Sequence, residues 1–191
     1  MVNNHTQPNW DKRVILDADD IVEAREIYEA TKEVEYHQYY NLFDVKRRDV
    51  YDWHDLGFVK KISDTLGVSG LRGTPYFLLY ETNSFTRAHE DNETGTTVVT
   101  LIESSTDLVG GEALIFDVYG PRARASHKEE RRATYEKERP HAYNKNIIPR
   151  IVQMDQGESL VYGPDLKHGV TQVEQGTRLV LITWWKDKCL N

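Results

Sequence analysis

The sequence is poor in cysteine and has no long apolar run. Its only cysteine is Cys189, so an internal disulfide is excluded and we interpret this residue as an incidental thiol. No stretch approaches the ~18–20 consecutive apolar residues of a membrane span, so we expect no membrane partner. The N-terminal residues Met1–His5 lack the basic and then apolar layout of a signal peptide. We therefore expect an intracellular, cytoplasmic protein.

Positive charge is also scarce. The chain has 24 Lys and Arg against 31 Asp and Glu, which gives a formal net charge of −7. A broad nucleic-acid surface needs clustered positive charge to release phosphate counterions, so we expect no nucleic-acid partner. An anionic small substrate is not excluded by this balance. We interpret the local basic clusters Lys46-Arg47-Arg48 and Arg131-Arg132 as solvent-exposed faces.

What is present fits one globular domain with a helical beginning. A chain of 191 residues is long enough to bury a core. Asp17 or Asp19 is a candidate N-cap for a helix that runs to about Val34. Apolar spacing predicts a second helix over residues 52–66. We expect these helices, within a support region of residues 1–74, to cover one face of a sheet.

From residue 75 onward the pattern changes to short strands separated by Gly, Asn, Asp and Pro. The predicted strands lie near 75–82, 85–91, 96–104, 112–118, 151–155, 158–163, 168–174 and 177–186. Eight strands after a helical region fit a mainly β fold with a double-stranded β-helix core, the two-sheet jelly roll that cupins also use. We expect this core to span residues 75–186. An interval from 121 to 149, rich in Lys, Arg and Glu, interrupts it and predicts a mobile loop or an exposed helix.

Three residues in this region form a candidate metal site. His89 and Asp91 lie two positions apart, a spacing that puts both side chains on one face of a strand. His168 supplies a third ligand just before the last pair of strands. Two His and one carboxylate on one side of an octahedron form the facial triad of non-haem Fe(II) oxygenases, which leaves three positions open. Arg178, ten residues after His168, could then bind a dicarboxylate.

Each of these residues has a simpler interpretation when taken alone. His89 fits a surface histidine, Asp91 a polar turn and His168 a loop cap. Arg178 could be an ordinary arginine at the end of a strand. The metal interpretation depends on the joint pattern, in which the residues occur in order around strand-like blocks.

That joint pattern resembles a known family. Five blocks carry the resemblance: Tyr76-Phe77-Leu78-Leu79-Tyr80, His89-Glu90-Asp91, Gly110 to Phe116, Gly157 to Tyr162, and His168 to Trp185. They are similar, in this order, to the 2-oxoglutarate/Fe(II)-dependent dioxygenases of the prolyl 4-hydroxylase-like branch. The resemblance covers roughly residues 75–186. His-x-Asp alone is a weak motif, whereas five ordered blocks with the His-to-Arg spacing are specific.

The resemblance implies cofactors and roles for particular residues. It implies Fe(II) held by His89, Asp91 and His168, with 2-oxoglutarate and O2 as cosubstrates and ascorbate as a further candidate reductant. It makes Arg178 the partner of the distal carboxylate of 2-oxoglutarate and puts Tyr80 near that cosubstrate. Many relatives carry a tyrosine in the strand before Gly-Gly, where this sequence has Val99 to Ile102. Thr100 is our candidate for the missing second carboxylate contact.

The resemblance also implies an activity, with alternatives. We expect hydroxylation of an unactivated C–H bond of a small molecule or amino acid, coupled to decarboxylation of 2-oxoglutarate to succinate. Hydroxylation of peptidyl proline, desaturation and ring formation by the same chemistry stay open, as does a non-catalytic cupin-like binding module. Arg178 argues against a binding module, which needs no cosubstrate clamp. Asp91 argues against halogenation, because halogenases of similar fold have Gly or Ala at this ligand position.

The 121–149 insertion falls where members of this family elaborate substrate-binding loops. We therefore expect it to lie beside the iron site as a substrate-gating lid. Arg122 and Arg124 lie nearest the preceding strand and are our candidates for contact with an anionic group of the substrate. Solvent-facing arginines are the simpler alternative for both.

Overall fold

The computed structural model describes residues 10–33, 43–91, 95–118 and 147–189. These ranges contain two helices, α1 (Ala18–Ala30) and α2 (Gly57–Leu66), with a 3-10 turn at Trp53–Asp55 before α2. Neither helix is long and apolar enough to cross a membrane. The strands are β1 (Trp10–Val14), β2 (Phe43–Asp44), β3 (Lys46–Asp49), β4 (Tyr76–Tyr80), β5 (Phe85–His89), β6 (Thr96–Ser104), β7 (Val109–Gly110), β8 (Ala113–Val118), β9 (Ile147–Val152), β10 (Glu158–Tyr162), β11 (Lys167–Val170), β12 (Val173–Gln175) and β13 (Arg178–Trp185).

The strands form two large antiparallel sheets. A six-stranded sheet has the order β1-β10-β6-β13-β4-β3, and a five-stranded sheet has the order β2-β5-β11-β8-β9. A small third sheet pairs β12 with β7. Two facing antiparallel sheets of this kind enclose a jelly-roll interior. The predicted double-stranded β-helix with N-terminal helices is therefore confirmed.

A capping box fixes where α1 begins. The Asp17 side chain accepts a hydrogen bond from the backbone N–H of Asp20, and the Asp20 carboxylate accepts one from the backbone N–H of Asp17. These two bonds satisfy donors that the first helical turn leaves open. The helix ends at Ala30 because Thr31 adopts an extended conformation. It is therefore shorter than the predicted helix, which ran to about Val34.

The six-stranded sheet has two different faces, because successive side chains of a strand point in opposite directions. We call the face covered by α1 and α2 the helix face. Its apolar residues pack with the helices in one cluster and include Phe77, Val98, Val161, Leu181 and Trp185. We call the opposite face, which points towards the five-stranded sheet, the interior face. It includes Tyr76, Leu78, Leu101, Leu160 and Val180.

Several predicted strand boundaries were wrong. Residues 147–152 form β9, whereas the prediction put a strand at 151–155 and assigned 147–149 to the insertion. β9 lies at the edge of its sheet. An edge strand has a partner on one side only, so it tolerates a proline such as Pro149, which lacks the backbone N–H. The predicted strand 168–174 is two strands, β11 and β12, which belong to different sheets.

The basic cluster Lys46-Arg47-Arg48 is a solvent-exposed face only at Lys46. It forms edge strand β3, and both arginines are half-buried. Arg47 lies over the ring of Tyr76, with 3.9 Å from Cζ to the ring centroid, and Arg48 lies over Tyr28 at 4.0 Å. Both arginines therefore stack on aromatic rings, a contact that the planar guanidinium group permits.

Candidate metal centre

The structure brings the three candidate ligands together from two places in the chain. His89 is the last residue of β5, and Asp91 follows it by two residues. His168 lies on β11, which pairs with β5 so that His168 is directly opposite His89. Residues that face each other across an antiparallel pair have neighbouring side chains. The strand register therefore places both imidazoles side by side.

The ligand atoms of these residues converge. One ligand atom from each of His89, Asp91 and His168 lies within 4.8 Å of the others. Asp91 Oδ1 is 3.6 Å from His89 Nε2, and Asp91 Oδ2 is 3.7 Å from His168 Nε2. The exposed fractions of the three side chains are small, 20% for His89, 9% for Asp91 and 12% for His168. Two imidazoles and one carboxylate in this arrangement suit a divalent transition metal.

Both histidines are held by the main chain two residues earlier. His89 Nδ1 lies 2.9 Å from the carbonyl oxygen of Arg87, and His168 Nδ1 lies 3.0 Å from that of Leu166. A carbonyl oxygen only accepts, so each Nδ1 carries the hydrogen and donates it. Each Nε2 is then left with a lone pair, the form in which imidazole binds a metal.

Asp91 is oriented by two interior hydroxyl groups. Thr97 Oγ1 donates a hydrogen bond of 2.9 Å to Asp91 Oδ2, and the Tyr162 hydroxyl also bonds the Asp91 carboxylate. Burial by itself raises the pKa of Asp91, but the two neighbouring imidazoles and the hydrogen bond from Thr97 outweigh burial and hold the pKa below its usual value. Burial, and then the Asp91 charge, raise the pKa of Tyr162 well above its ordinary value. The phenol therefore stays protonated and donates.

His168 is kept in its neutral form. Burial lowers its pKa to about 4, with the charge of His89 acting in the same direction. The Tyr162 ring covers the imidazole at 4.5 Å between centroids. Because a metal binds neutral imidazole, this environment keeps His168 ready to act as a ligand near neutral pH.

Arg178 lies on the interior face with part of its guanidinium unpaired. Its residue exposure is 4%, and Nη1 has no hydrogen-bond partner within the described ranges. Nη2 lies 3.7 Å from the Met154 sulfur, a weak acceptor. Burial lowers the pKa of Arg178, and Tyr80 and Glu112 act against that shift. A buried guanidinium without a full set of partners has the charge and the free donor that an anion needs.

Tyr80 lies beside Arg178, its direct cross-strand partner. The Arg178 guanidinium carbon is 5.6 Å from the centre of the Tyr80 ring, and the Tyr80 hydroxyl shares a 2.8 Å hydrogen bond with Thr86. Gly111, with φ of +71°, lies on the other side of the arginine. A Cβ at Gly111 would meet Val173 at 2.9 Å and Arg178 Cδ at 3.7 Å. A side chain there would therefore narrow the space beside Arg178.

The structure does not bring Thr100 to the site. Thr100 lies on the helix face and shares a 2.7 Å hydrogen bond with Ser159. Thr97, three residues earlier on β6, has the opposite orientation and contacts Asp91. The choice of Thr100 came from the resemblance alone, whereas strand periodicity allows only one of the two threonines to face the interior. Arg122 and Arg124 lie outside the described residues.

Sequence reasoning also missed the surroundings of the ligands. Tyr162 and Trp184 were placed only within resembling blocks, with no role at the site. Trp184 lies six residues after Arg178 on the same strand, so the period of two puts it on the same face as Arg178. That signal was present in the sequence.

No protein-family model matches the sequence, and a comparison with curated proteins gives no match. The fold is nevertheless similar to solved structures. One is a prolyl-4-hydroxylase from Pseudomonas putida, with a TM-score of 0.64 and 16% identity over 95% of this chain and 94% of that one. At such low identity the similarity establishes the fold.

Two further similar structures contain ligands. HygX from Streptomyces hygroscopicus, with nickel and 2-oxoglutarate bound, has a TM-score of 0.61 and 13% identity over 94% of this chain and 83% of that one. A prolyl hydroxylase from Trichoplax adhaerens, in complex with a peptide fragment of hypoxia inducible factor, has a TM-score of 0.62 and 10% identity over 94% and 84%. The chain thus has the double-stranded β-helix fold of 2-oxoglutarate/Fe(II) oxygenases, as the sequence resemblance predicted.

Proposed function

We propose that this protein is an Fe(II)- and 2-oxoglutarate-dependent dioxygenase that hydroxylates an unactivated C–H bond of a small molecule or amino acid. One observation carries the proposal. The same interior holds a convergent His89, Asp91 and His168 set and a buried Arg178 with an unpaired Nη1. A metal site alone fits many functions, but a metal site together with an unsatisfied cation suits a metal-binding anionic cosubstrate.

The residues fit the implied metal. Their donor set is two neutral imidazoles and one carboxylate, and both imidazoles present Nε2 because Nδ1 is bonded to the main chain. When bound there, Fe(II) would supply the redox chemistry that couples decarboxylation of 2-oxoglutarate to oxidation of a C–H bond. His89, Asp91 and His168 would hold it, and Thr97 and Tyr162 would keep the Asp91 carboxylate in position.

Arg178 is the proposed partner of the distal carboxylate of 2-oxoglutarate. Its planar guanidinium matches a carboxylate with two parallel hydrogen bonds. Tyr80 forms one wall beside it, and the absence of a side chain at Gly111 keeps the opposite wall open. The low exposure of Arg178 excludes water, which strengthens a charged contact.

The substrate class has a second candidate. Two of the similar structures are prolyl hydroxylases, and one of these is in complex with a peptide. These names support a peptidyl substrate as the alternative to a small molecule. The same residues also suit desaturation or ring formation, whereas Asp91 occupies the ligand position that a halide would need.

The 121–149 interval is the proposed lid of the site. Within the described residues, β8 before it pairs directly with both β9 after it and β11, which carries His168. A segment connecting β8 and β9 therefore starts on the neighbour of the ligand-bearing strand β11 and returns one strand further from it. Shortening residues 125–139 should reduce substrate-coupled turnover while metal and 2-oxoglutarate binding persist.

The direct test is succinate formation from 2-oxoglutarate by the purified protein with added Fe(II). Wild type should form succinate, and His168→Ala should lose at least 100-fold of this activity together with stoichiometric iron binding. His54→Ala is a matched control, because His54 is exposed and lies before α2. Full iron binding and turnover by His168→Ala would contradict the ligand assignment.

A further inference from the structure

A continuous row of side chains crosses the interior face beside the metal ligands. Strand register pairs Trp10 with Tyr162, Tyr162 with Thr97, and Thr97 with Trp184, across β1, β10, β6 and β13. Directly paired residues point to the same face of a sheet. We call these four residues the aromatic row. The Thr97 hydroxyl donates a 2.9 Å hydrogen bond to Asp91, so the row is in direct contact with one of the three candidate ligands.

Trp184 brings an unused hydrogen-bond donor to this row. Its Nε1 is buried and has no hydrogen-bond partner among the described residues. The ring packs edge to face against Tyr76, with 5.5 Å between centroids and 83° between planes. That contact fixes the plane of the indole and therefore the direction of the N–H. An unpaired buried donor costs about 1–3 kcal/mol, so a retained one calls for a partner.

The next residue shows that the fold can satisfy a buried indole. Trp185 lies on the helix face, and its Nε1 donates a 2.9 Å hydrogen bond to Thr183 Oγ1. Both tryptophans belong to β13 and differ in the face on which they lie. The described residues thus supply an acceptor to Trp185 in the structural core and none to Trp184, which pairs with Thr97 next to the ligand Asp91.

The described wall around Trp184 carries little net charge. Arg47, which lies over Tyr76, donates to Asp49 at 2.7 Å, so its charge is compensated. The nearby side chains of the row are an indole, a phenol and a hydroxyl. A neutral acceptor on an apolar skeleton suits this surface better than a carboxylate does.

We propose that Trp184 Nε1 is a substrate-binding donor, and that the aromatic row takes an apolar molecule whose neutral carbonyl oxygen accepts this hydrogen bond. This inference rests on the proposed function and specifies its substrate class. The carbonyl comes from a peptide amide or from a small molecule, since both offer the same acceptor. The aromatic faces cover the apolar part, and the bond to the indole sets which C–H group lies nearest to the ligand set.

The test uses protein loaded with Zn(II), a diamagnetic substitute for iron, and 2-oxoglutarate. The indole ¹⁵N–¹H resonance of Trp184 is assigned from Trp184→Phe and Trp185→Phe, each of which removes one signal. Two neutral probes, an acetylated Ala-Pro-Leu tripeptide amide and cyclohexyl methyl ketone, represent the peptide and small-molecule sources. The tripeptide free acid and cyclohexylacetic acid are their charged counterparts.

At least one neutral probe should shift the Trp184 resonance at lower concentration than its acid counterpart. Trp184→Phe, which keeps the ring and removes the donor, should weaken binding of that probe about tenfold. Trp185→Phe should lower the thermal midpoint and leave probe affinity unchanged. The comparison of the two probes then identifies the source of the carbonyl.

The inference is overturned if neither neutral probe shifts the Trp184 signal, if the acids bind equally well, or if Trp184→Phe binds a neutral probe as tightly as wild type. Zn(II) and 2-oxoglutarate binding are measured first on wild type. Failure of both would count against the proposed function itself. Normal binding of Zn(II) and 2-oxoglutarate, with no change of the Trp184 indole resonance on adding the probes, would contradict only the role of Trp184.

Discussion

The two faces of the six-stranded sheet use the same strands and similar residues in opposite ways. On the helix face, Thr100 bonds Ser159 at 2.7 Å, and the Trp185 indole bonds Thr183 at 2.9 Å. On the interior face, Arg178 Nη1 and Trp184 Nε1 have no partner within the described ranges. One face completes its hydrogen bonds within the fold. The other keeps two donors for which the described residues supply no acceptor.

Arg48 sharpens this comparison because it is half-buried on the helix side, and its buried Nε is also unpaired. Its guanidinium nevertheless donates a 2.6 Å bond to the carbonyl oxygen of Tyr28 and lies over the ring of that residue. It therefore connects β3 to α1. Arg178, in contrast, finds only the sulfur of Met154 as a hydrogen-bond partner among the described residues. The difference separates an arginine used for packing from one available to a ligand.

The largest effect in this comparison is expected for Arg178→Met. Losing a desolvated charged contact costs about 2–5 kcal/mol, so the affinity for 2-oxoglutarate should fall by tens-fold or more. Titration calorimetry with Zn(II)-loaded protein measures it. Arg48→Met is the matched control and should lower stability with little change in 2-oxoglutarate affinity. An unchanged affinity in Arg178→Met would mean that another residue holds the distal carboxylate.

Acid stability should separate the interior from the exposed cap of α1. In metal-free protein, burial lowers the pKa of His168 from 6.5 to about 4, so the unfolded chain binds the extra proton first. Stability is then fully present above pH 6.5 and is lost as pH falls towards 4. Each tenfold change in proton affinity is about 1.4 kcal/mol, which makes this loss about 3 kcal/mol.

Asp17 acts in a lower pH range. Its hydrogen bond from Lys61 lowers its pKa from 3.8 to about 2, so its contribution is present above pH 3.8 and is lost as pH falls towards 2. Denaturant unfolding of metal-free His168→Gln should therefore show a flatter pH dependence between 6.5 and 4 and an unchanged one below that range. An identical slope in wild type and variant would exclude His168 as the group responsible.

The smallest effects should come from a pair of threonines. Thr97→Val removes the hydrogen bond to Asp91 and should weaken metal affinity about tenfold, a usual effect for a group that orients a ligand. Thr100→Val removes the bond to Ser159 and should cost about 1 kcal/mol of stability with no loss of metal affinity. Mn(II) binding and thermal unfolding distinguish the two. Equal metal affinity in both variants would contradict the assignment of Thr97 to the Asp91 carboxylate.

The sequence predicted what periodicity and ordered motifs determine. The two-sheet fold and the ligand candidates His89, Asp91 and His168 came from the strand pattern and block order, and the structure brings these three residues together. The position of Arg178 on the interior face also follows from its block. These features depend on spacing along one strand or between neighbouring strands, which a single sequence displays.

Other features depend on contacts that spacing does not reveal. β2 and β3 are short and lie at sheet edges, so their sequences lack a long alternating run. Arg47 and Arg48 read as solvated because their partners, Tyr76 and Tyr28, are distant in the chain. Thr100 was chosen from the resemblance alone, and the residue that contacts the ligand Asp91 is Thr97, three positions earlier on β6 and on the opposite face. Which residues of β6 face the interior can be counted outward from Thr97, but the contact of Thr97 with Asp91 is visible only in the structure.

Both imidazoles take their orientation from peptide carbonyls, those of Arg87 and Leu166. Every residue type carries a backbone carbonyl, so a point mutation at either position leaves this hydrogen-bond acceptor in place. The Arg87 side chain is exposed. Substituting it should therefore leave the carbonyl that fixes the tautomer of His89 unchanged. The tautomers of both histidine ligands are thus set by the backbone conformation and do not depend on the identity of any other side chain.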